Sequence, residues 1–138
     1  MYKNILVTLD TTATDNTIIE HIIPLARMME SRIVLLHVAT GAVAKWRRDD
    51  AGSQEVEQSR VYLELASKKF QDAGLPVETA LAYGDAVKEI VKWVKENPCD
   101  LVAMSTHGHQ LVADFVLGST AFQVQHSISV PMLLLRAK

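Results

Sequence analysis

Leu101-Val-Ala-Met104-Ser-Thr-His-Gly108 begins as a strand and ends as a loop, and the fold follows from reading it that way. Four successive apolar residues suit a strand buried on both faces of a parallel sheet. The Ser-Thr-His-Gly that follows predicts a loop beyond the strand's carboxyl end. Working outward, four more runs accompany it: Ile5-Leu-Val7, Ile33-Val-Leu-Leu36, Val77-Glu-Thr-Ala-Leu81 and Met132-Leu-Leu-Leu135. The run at 77–81 alternates and carries Glu78, which predicts an edge strand.

Helical patterns separate these runs. From about Thr14 to Met29, Ile18, Ile22, Leu25 and Met29 recur at helical spacing, with Thr14 or Asp15 as cap. Pro24 falls inside this pattern and predicts a kink or an early end. From Gln54 to Ala73, Ser59, Leu63, Ala66, Phe70 and Ala73 share a face, and Gly74 is a natural helix stop. From Asp85 to Glu96, Val87, Ile90, Val91 and Val94 form a stripe that Asn97-Pro98 ends. A fourth helix opens at Gly118-Ser119 and runs to about His126. Thr40 to Ser53 has no periodicity, carries Trp46-Arg47-Arg48, and reads as a mobile connection with room for a short helix. Strand–helix alternation predicts an α/β fold, a doubly wound, mostly parallel sheet with helices on both faces. Ligands of such sheets bind beyond the strands' carboxyl ends, where strand order reverses.

Composition fits this picture. The 138 residues read as one domain over 1–138, and 49% hydrophobic residues suffice for a core. A net charge of −2 gives no pull toward nucleic acid or anionic lipid. The longest apolar runs are far short of the roughly 20 residues that span a bilayer. A single cysteine, Cys99, allows no internal disulfide and suits a reducing compartment. Met1-Tyr2-Lys3-Asn4 runs straight into an apolar strand without a signal-peptide pattern, so the expected location is cytoplasmic.

The chemistry concentrates after the fourth strand. Gly108 lets backbone N–H groups approach a phosphate, and Gly118-Ser119 at a helix start adds unpaired donors and the positive dipole end. The same glycines could equally turn the chain and start a helix. No Gly-Lys-Ser/Thr occurs, so this is not a Walker A loop. The first strand ends in Thr8-Leu9-Asp10 without glycine, so it is not a dinucleotide fingerprint either.

These residues carry a resemblance. Ile5-Leu-Val-Thr-Leu-Asp10, Leu35-Leu-His-Val38, Gly84-Asp85 and Val130-Pro131 before an apolar strand are similar to the universal stress protein family over essentially the whole chain. Ser105-Thr-His-Gly108, then nine residues, then Gly118-Ser119 resembles its ATP-binding signature, Gly-x2-Gly-x9-Gly-Ser/Thr. The resemblance implies five parallel strands in order 3-2-1-4-5, with a switch point between strands one and four. It implies that Asp10 accepts from ribose hydroxyls, although Asp10 could also cap the first helix. Val38 would contact adenine through its backbone, Thr8 and Leu9 would line the base pocket, and Met104 and Ser105 would flank the ribose. Gly108, Gly118, Ser119 and Thr120 would hold the phosphates. The implied ligand is ATP, or its relatives AMP and ADP, with any Mg2+ carried on the phosphates.

Two positions depart from the family pattern. Ser105 replaces the first glycine of the signature, which matters only if the backbone there must take a positive φ. His109 stands where the family commonly has arginine or lysine, so it supplies less countercharge to a triphosphate. Weaker or more pH-dependent ATP binding is therefore expected. The family's common homodimer joins last strands antiparallel, and the apolar edge at 132–135 invites the same pairing here.

Other candidates are weighed and set aside. His107-x-His109 could ligate a metal with His37 or Asp10, but no further ligand cluster is visible, so no metal site is assigned. No catalytic residue is assigned, since Gly-x-Ser-x-Gly and any readable triad are missing. His37 reads as a packed, hydrogen-bonded histidine. His21 and His126 read as helix-surface residues, Cys99 as buried rather than reactive, and Trp46-Arg47-Arg48 as an exposed or partner-facing loop. The expected function is a nucleotide-binding stress-response protein acting through partners. The alternatives are a dimeric interaction protein with an empty pocket and, third, a weak ATPase.

Overall fold

The computed structural model describes residues 1–39, 50–107 and 120–137. Five strands form one sheet: β1 (Asn4–Thr8), β2 (Arg32–Ala39), β3 (Val77–Tyr83), β4 (Leu101–His107) and β5 (Met132–Ala137). The order is β3-β2-β1-β4-β5, and every pairing is parallel. The expected doubly wound α/β sheet and its strand order are thus observed. Helices α1 (Asp15–Met29), α2 (Asp50–Asp72), α3 (Ala86–Glu96) and α4 (120–127) connect the strands.

Alternation along each central strand builds two cores. Ile5 and Val7, Ile33 and Leu35, Leu101 and Ala103 face α1 and α2, where Ile18, Ile22, Leu63 and Phe70 close over them. Leu6, Leu36, Val102 and Met104 face the other way, toward Ile90 and Val94 of α3 and Ala121 and Val124 of α4. A strand covered on both sides needs apolar residues at every position, hence the unbroken runs. Each fully buried Ile, Leu or Phe contributes about 1.5–3 kcal/mol.

Several sequence expectations change. α1 continues through Pro24 to Met29 rather than ending early. Pro24 lies on the exposed face, and the carbonyl deprived of its donor belongs to exposed Glu20, where solvent can meet it. The buried face of α1 is Ile18, Ile19, Ile22 and Ala26, while Leu25 and Met29 are only half-buried. Thr14 makes no side-chain capping bond. α2 begins at Asp50, four residues before Gln54, because its polar first turn shows no apolar period. The rest of the expected connection, and with it Trp46-Arg47-Arg48, lies outside the described residues. Gly74 does end α2, with φ +81 and its N–H on the Gln71 carbonyl. Asp85 caps α3 by accepting from the Lys88 N–H at 2.9 Å, and extended Asn97 ends it. β3 is the expected edge strand, and exposed Glu78 pairs with Arg32 on β2 at 3.0 Å.

Candidate functional site

The carboxyl ends of β1 and β4 lie side by side, and the sheet order reverses there. A cleft of about 270 Å³ opens at this point. It is lined by Thr8, Leu9, Asp10, Val38, Met104, Ser105 and Thr120 from the sequence reading. Leu36, His37, Ala86 and Ile90 complete it and were missed. Gly108, His109, Gly118 and Ser119 lie outside the described residues.

β4 determines how Ser105 should be understood. The strand does not stop at Met104 but continues to His107, because β5 keeps pairing with it through Ser105↔Leu135 and Thr106↔Arg136. Ser105 is therefore strand rather than loop, and it is not among the residues with positive φ. A serine costs nothing in extended backbone, so the missing glycine imposes no strain.

The floor of the cleft is apolar, with Leu36, Ile90 and Met104 at 1%, 4% and 7% exposure. Its rim is polar: Thr8, Asp10, His37, Ser105 and Thr120. An apolar slot with a few convergent polar groups is the usual form of a small-molecule site. The missed residues follow from local structure. Leu36 and His37 precede Val38 on β2, so Leu35-Leu-His-Val38 already placed them at the strand end. Gly84, at φ +127, turns the chain into the Asp85 cap, and this brings Ala86 and Ile90 over the sheet.

The turn after β1 is tied on three sides. The Leu9 N–H donates to the Leu36 carbonyl at 2.9 Å. The Leu9 carbonyl meets His37 Nδ1 at 2.8 Å. A carbonyl can only accept, so Nδ1 carries the proton and Nε2 is the acceptor of the neutral ring. His37 is thus the expected hydrogen-bonded histidine, although it also lines the cleft. Asp10 Oδ1 accepts from the Thr12 N–H at 3.0 Å and the Thr12 hydroxyl at 2.6 Å. The Thr14 hydroxyl reaches Asp10 Oδ2 at 3.2 Å. Asp10 therefore braces the turn before α1 but does not cap the helix in the usual way. Thr11, at φ +64, is a β-branched residue in left-handed backbone, a conformation kept only where its surroundings enforce it.

The remaining candidates fall elsewhere. His21 and His126 are exposed on helices, and His126 stacks edge-on against Phe122 with ring centroids 4.2 Å apart. Cys99 is half-buried, its Sγ donates to the Leu101 carbonyl, and burial pushes its thiol up, away from thiolate reactivity. Among the described residues no cluster of three or more His, Cys, Asp or Glu could hold a metal ion. Among them no helix is long and apolar enough to cross a membrane.

Comparison with known proteins agrees with this geometry. The sequence model of the universal stress protein family matches residues 1–136. A universal stress protein of Synechocystis is 35% identical over 101 residues, 73% of this chain, and the match spans about a third (32%) of that protein's length. One from Methanocaldococcus jannaschii is 23% identical over 100% of this chain and 97% of its own. The solved structure of the latter superposes with a TM-score of 0.84 at 25% identity, covering 100% of this chain and 98% of that one. A universal stress protein from Archaeoglobus fulgidus, solved in complex with dAMP, has a TM-score of 0.71 at 16% identity, covering 99% and 98%.

Proposed function

The chain belongs to the universal stress protein family, and from that premise we propose that it binds an adenine nucleotide, ATP or its relatives AMP and ADP, in the cleft between β1 and β4. The observation that carries this reading is the cleft itself. Its apolar floor suits a base, and Asp10 stands on its rim where ribose hydroxyls would donate to it. Support also comes from the dAMP complex of the Archaeoglobus fulgidus protein, which shares the fold.

In this reading Thr8, Leu9 and the Val38 backbone hold the base, while Met104 and Ser105 flank the ribose. Thr120, the first described residue of α4, would join Gly108, His109, Gly118 and Ser119 around the phosphates. Helix starts favour anions through unpaired N–H groups and the helix dipole. A divalent cation would ride on the phosphates, since a triphosphate carries its own oxygen ligands. The protein acts as a cytoplasmic, nucleotide-responsive stress protein rather than as an enzyme. It works as a homodimer joined through the outer edge of β5, where Leu134 is 50% exposed.

The test begins with the purified protein, heat-denatured, and its supernatant assayed for adenine nucleotides. Release of nucleotide, or saturable ATP binding by calorimetry, is expected. Neither in the wild type would favour the reading of a dimeric interaction protein with an empty pocket. His109→Arg is expected to tighten ATP by several-fold and AMP by less, because it adds countercharge near the outer phosphates. Unchanged ATP affinity in that variant would remove His109 from the site.

A further inference from the structure

Asp15 is the first residue of α1, and none of its surface is exposed. A fully buried carboxylate is rare and costly unless its oxygens are engaged. Here Oδ1 accepts from the Asp10 N–H at 3.1 Å, and Oδ2 accepts from the Thr11 N–H at 2.9 Å. A third donor arrives from another element: the Tyr62 hydroxyl on α2 reaches Oδ2 at 2.7 Å. The same hydroxyl stands 3.3 Å from the Thr12 carbonyl. One carboxylate thus fixes the backbone at Asp10 and at left-handed Thr11, and ties both to α2.

We propose that Asp15 and Tyr62 are positioning residues for the nucleotide site, holding the backbone of Asp10 and Thr11, and with it the Asp10 side chain, at the cleft rim. The inference rests on the nucleotide reading above. Three donors converge on two oxygens, so all are satisfied by a carboxylate. A carboxylic acid is accommodated as well: its proton points to the Tyr62 oxygen while the Tyr62 hydroxyl turns to the Thr12 carbonyl 3.3 Å away, and both backbone N–H groups keep their acceptors. The tie between this turn and α2 therefore depends on the two side chains rather than on the charge of Asp15.

Burial pushes the Asp15 carboxyl up to about 6, opposed by the Tyr62 hydroxyl and the Asp10 N–H, with the Asp10 charge adding to the rise. The titratable groups around it are Asp10 on the same turn and Tyr62 on α2. Glu55 and His37 border the adjacent cavity together with Thr11 and Tyr62. A residue kept for stability alone would be uncharged here. An ionised one that weakens the fold is the kind of exception found where a site must be held in place.

The test is binding by calorimetry of ATP and of 2′,3′-dideoxy-ATP to the wild type, Asp15→Asn and Tyr62→Phe, with urea unfolding to establish that each is folded. Both variants are expected to weaken ATP several-fold and the dideoxy compound by less, because a displaced Asp10 loses its contact with the ribose hydroxyls. Backbone amide exchange gives a second readout: protection at Asp10 and Thr11 should fall in both variants while that of β2 and β4 is kept. Equal losses for the two nucleotides, or wild-type affinity and amide protection in both variants, would overturn the inference and leave nucleotide binding standing. No ATP binding by the folded wild type would overturn both.

Discussion

At Asp15, burial and hydrogen bonding pull one carboxyl in opposite directions, and burial prevails. Its pKa rises from 3.8 to about 6. The protonated form is thus favoured in the folded chain. This group's contribution to stability is greatest below pH 4 and is lost as pH rises through 6, on the order of 3 kcal/mol in all. Urea unfolding at pH 4 and pH 7 checks this: the wild type should lose that amount relative to Asp15→Asn, and equal losses in the two proteins would refute it. Neither Asp15's burial nor its partner Tyr62 was legible in the sequence. Helical periodicity marks apolar faces, and a polar residue at a helix start reads as a cap. Asp10 was legible through the resemblance of Ile5-Leu-Val-Thr-Leu-Asp10 to the family's first strand, but its bonds to Thr12 and Thr14 depend on the shape of a turn that no pattern encodes.

Elements were legible where burial imposed a period. β1, β2 and β4 are covered on both faces, so their runs were unbroken and easily found. β3 announced itself as an edge through Glu78. The end of β4 was misread because Ser-Thr-His is polar, yet pairing with β5 keeps it extended. Long-range pairing of this kind is invisible in a local window. The start of α2 was missed because its first turn, residues 50–53, offers no apolar period to read. α3 shows how an element shapes the site: the Asp85 cap orders its first turn, and Ala86 and Ile90 then border the cleft. Asp85→Ala should cost about 1 kcal/mol in urea unfolding and weaken ATP two- to fivefold. A stability loss with unchanged affinity would separate the cap from the site. At the other edge, the Val102 N–H donates to the Pro131 carbonyl. Residues 131, 133 and 135 thus face β4, and the Leu134 N–H points outward. Leu134→Pro spares the inner ladder and blocks the outer edge. Sedimentation should show a dimer become a monomer. A dimer that persists would place the interface elsewhere.

Across the whole molecule, one topological fact organises the site. The chain crosses from β1 outward to β2 and β3, then returns to place β4 on the other side of β1, opening a crevice at the carboxyl ends of the two inner strands. The two cores pack against those two strands from opposite faces. Residues far apart in sequence, Asp10, Val38, Ser105 and Thr120, therefore meet at a single cleft. The resemblance read from the sequence implied this meeting, and the apolar floor is the surface against which the proposed base would pack. Ligand bound there should also stabilise the fold as its concentration rises. The most direct measurement is calorimetric titration of ATP into the wild type and into Asp10→Ala, with unfolding curves to establish that both are folded. The account predicts one site per chain in the wild type and a loss of at least tenfold in the variant. Equal affinity in the two proteins, or no binding to the folded wild type, would contradict it.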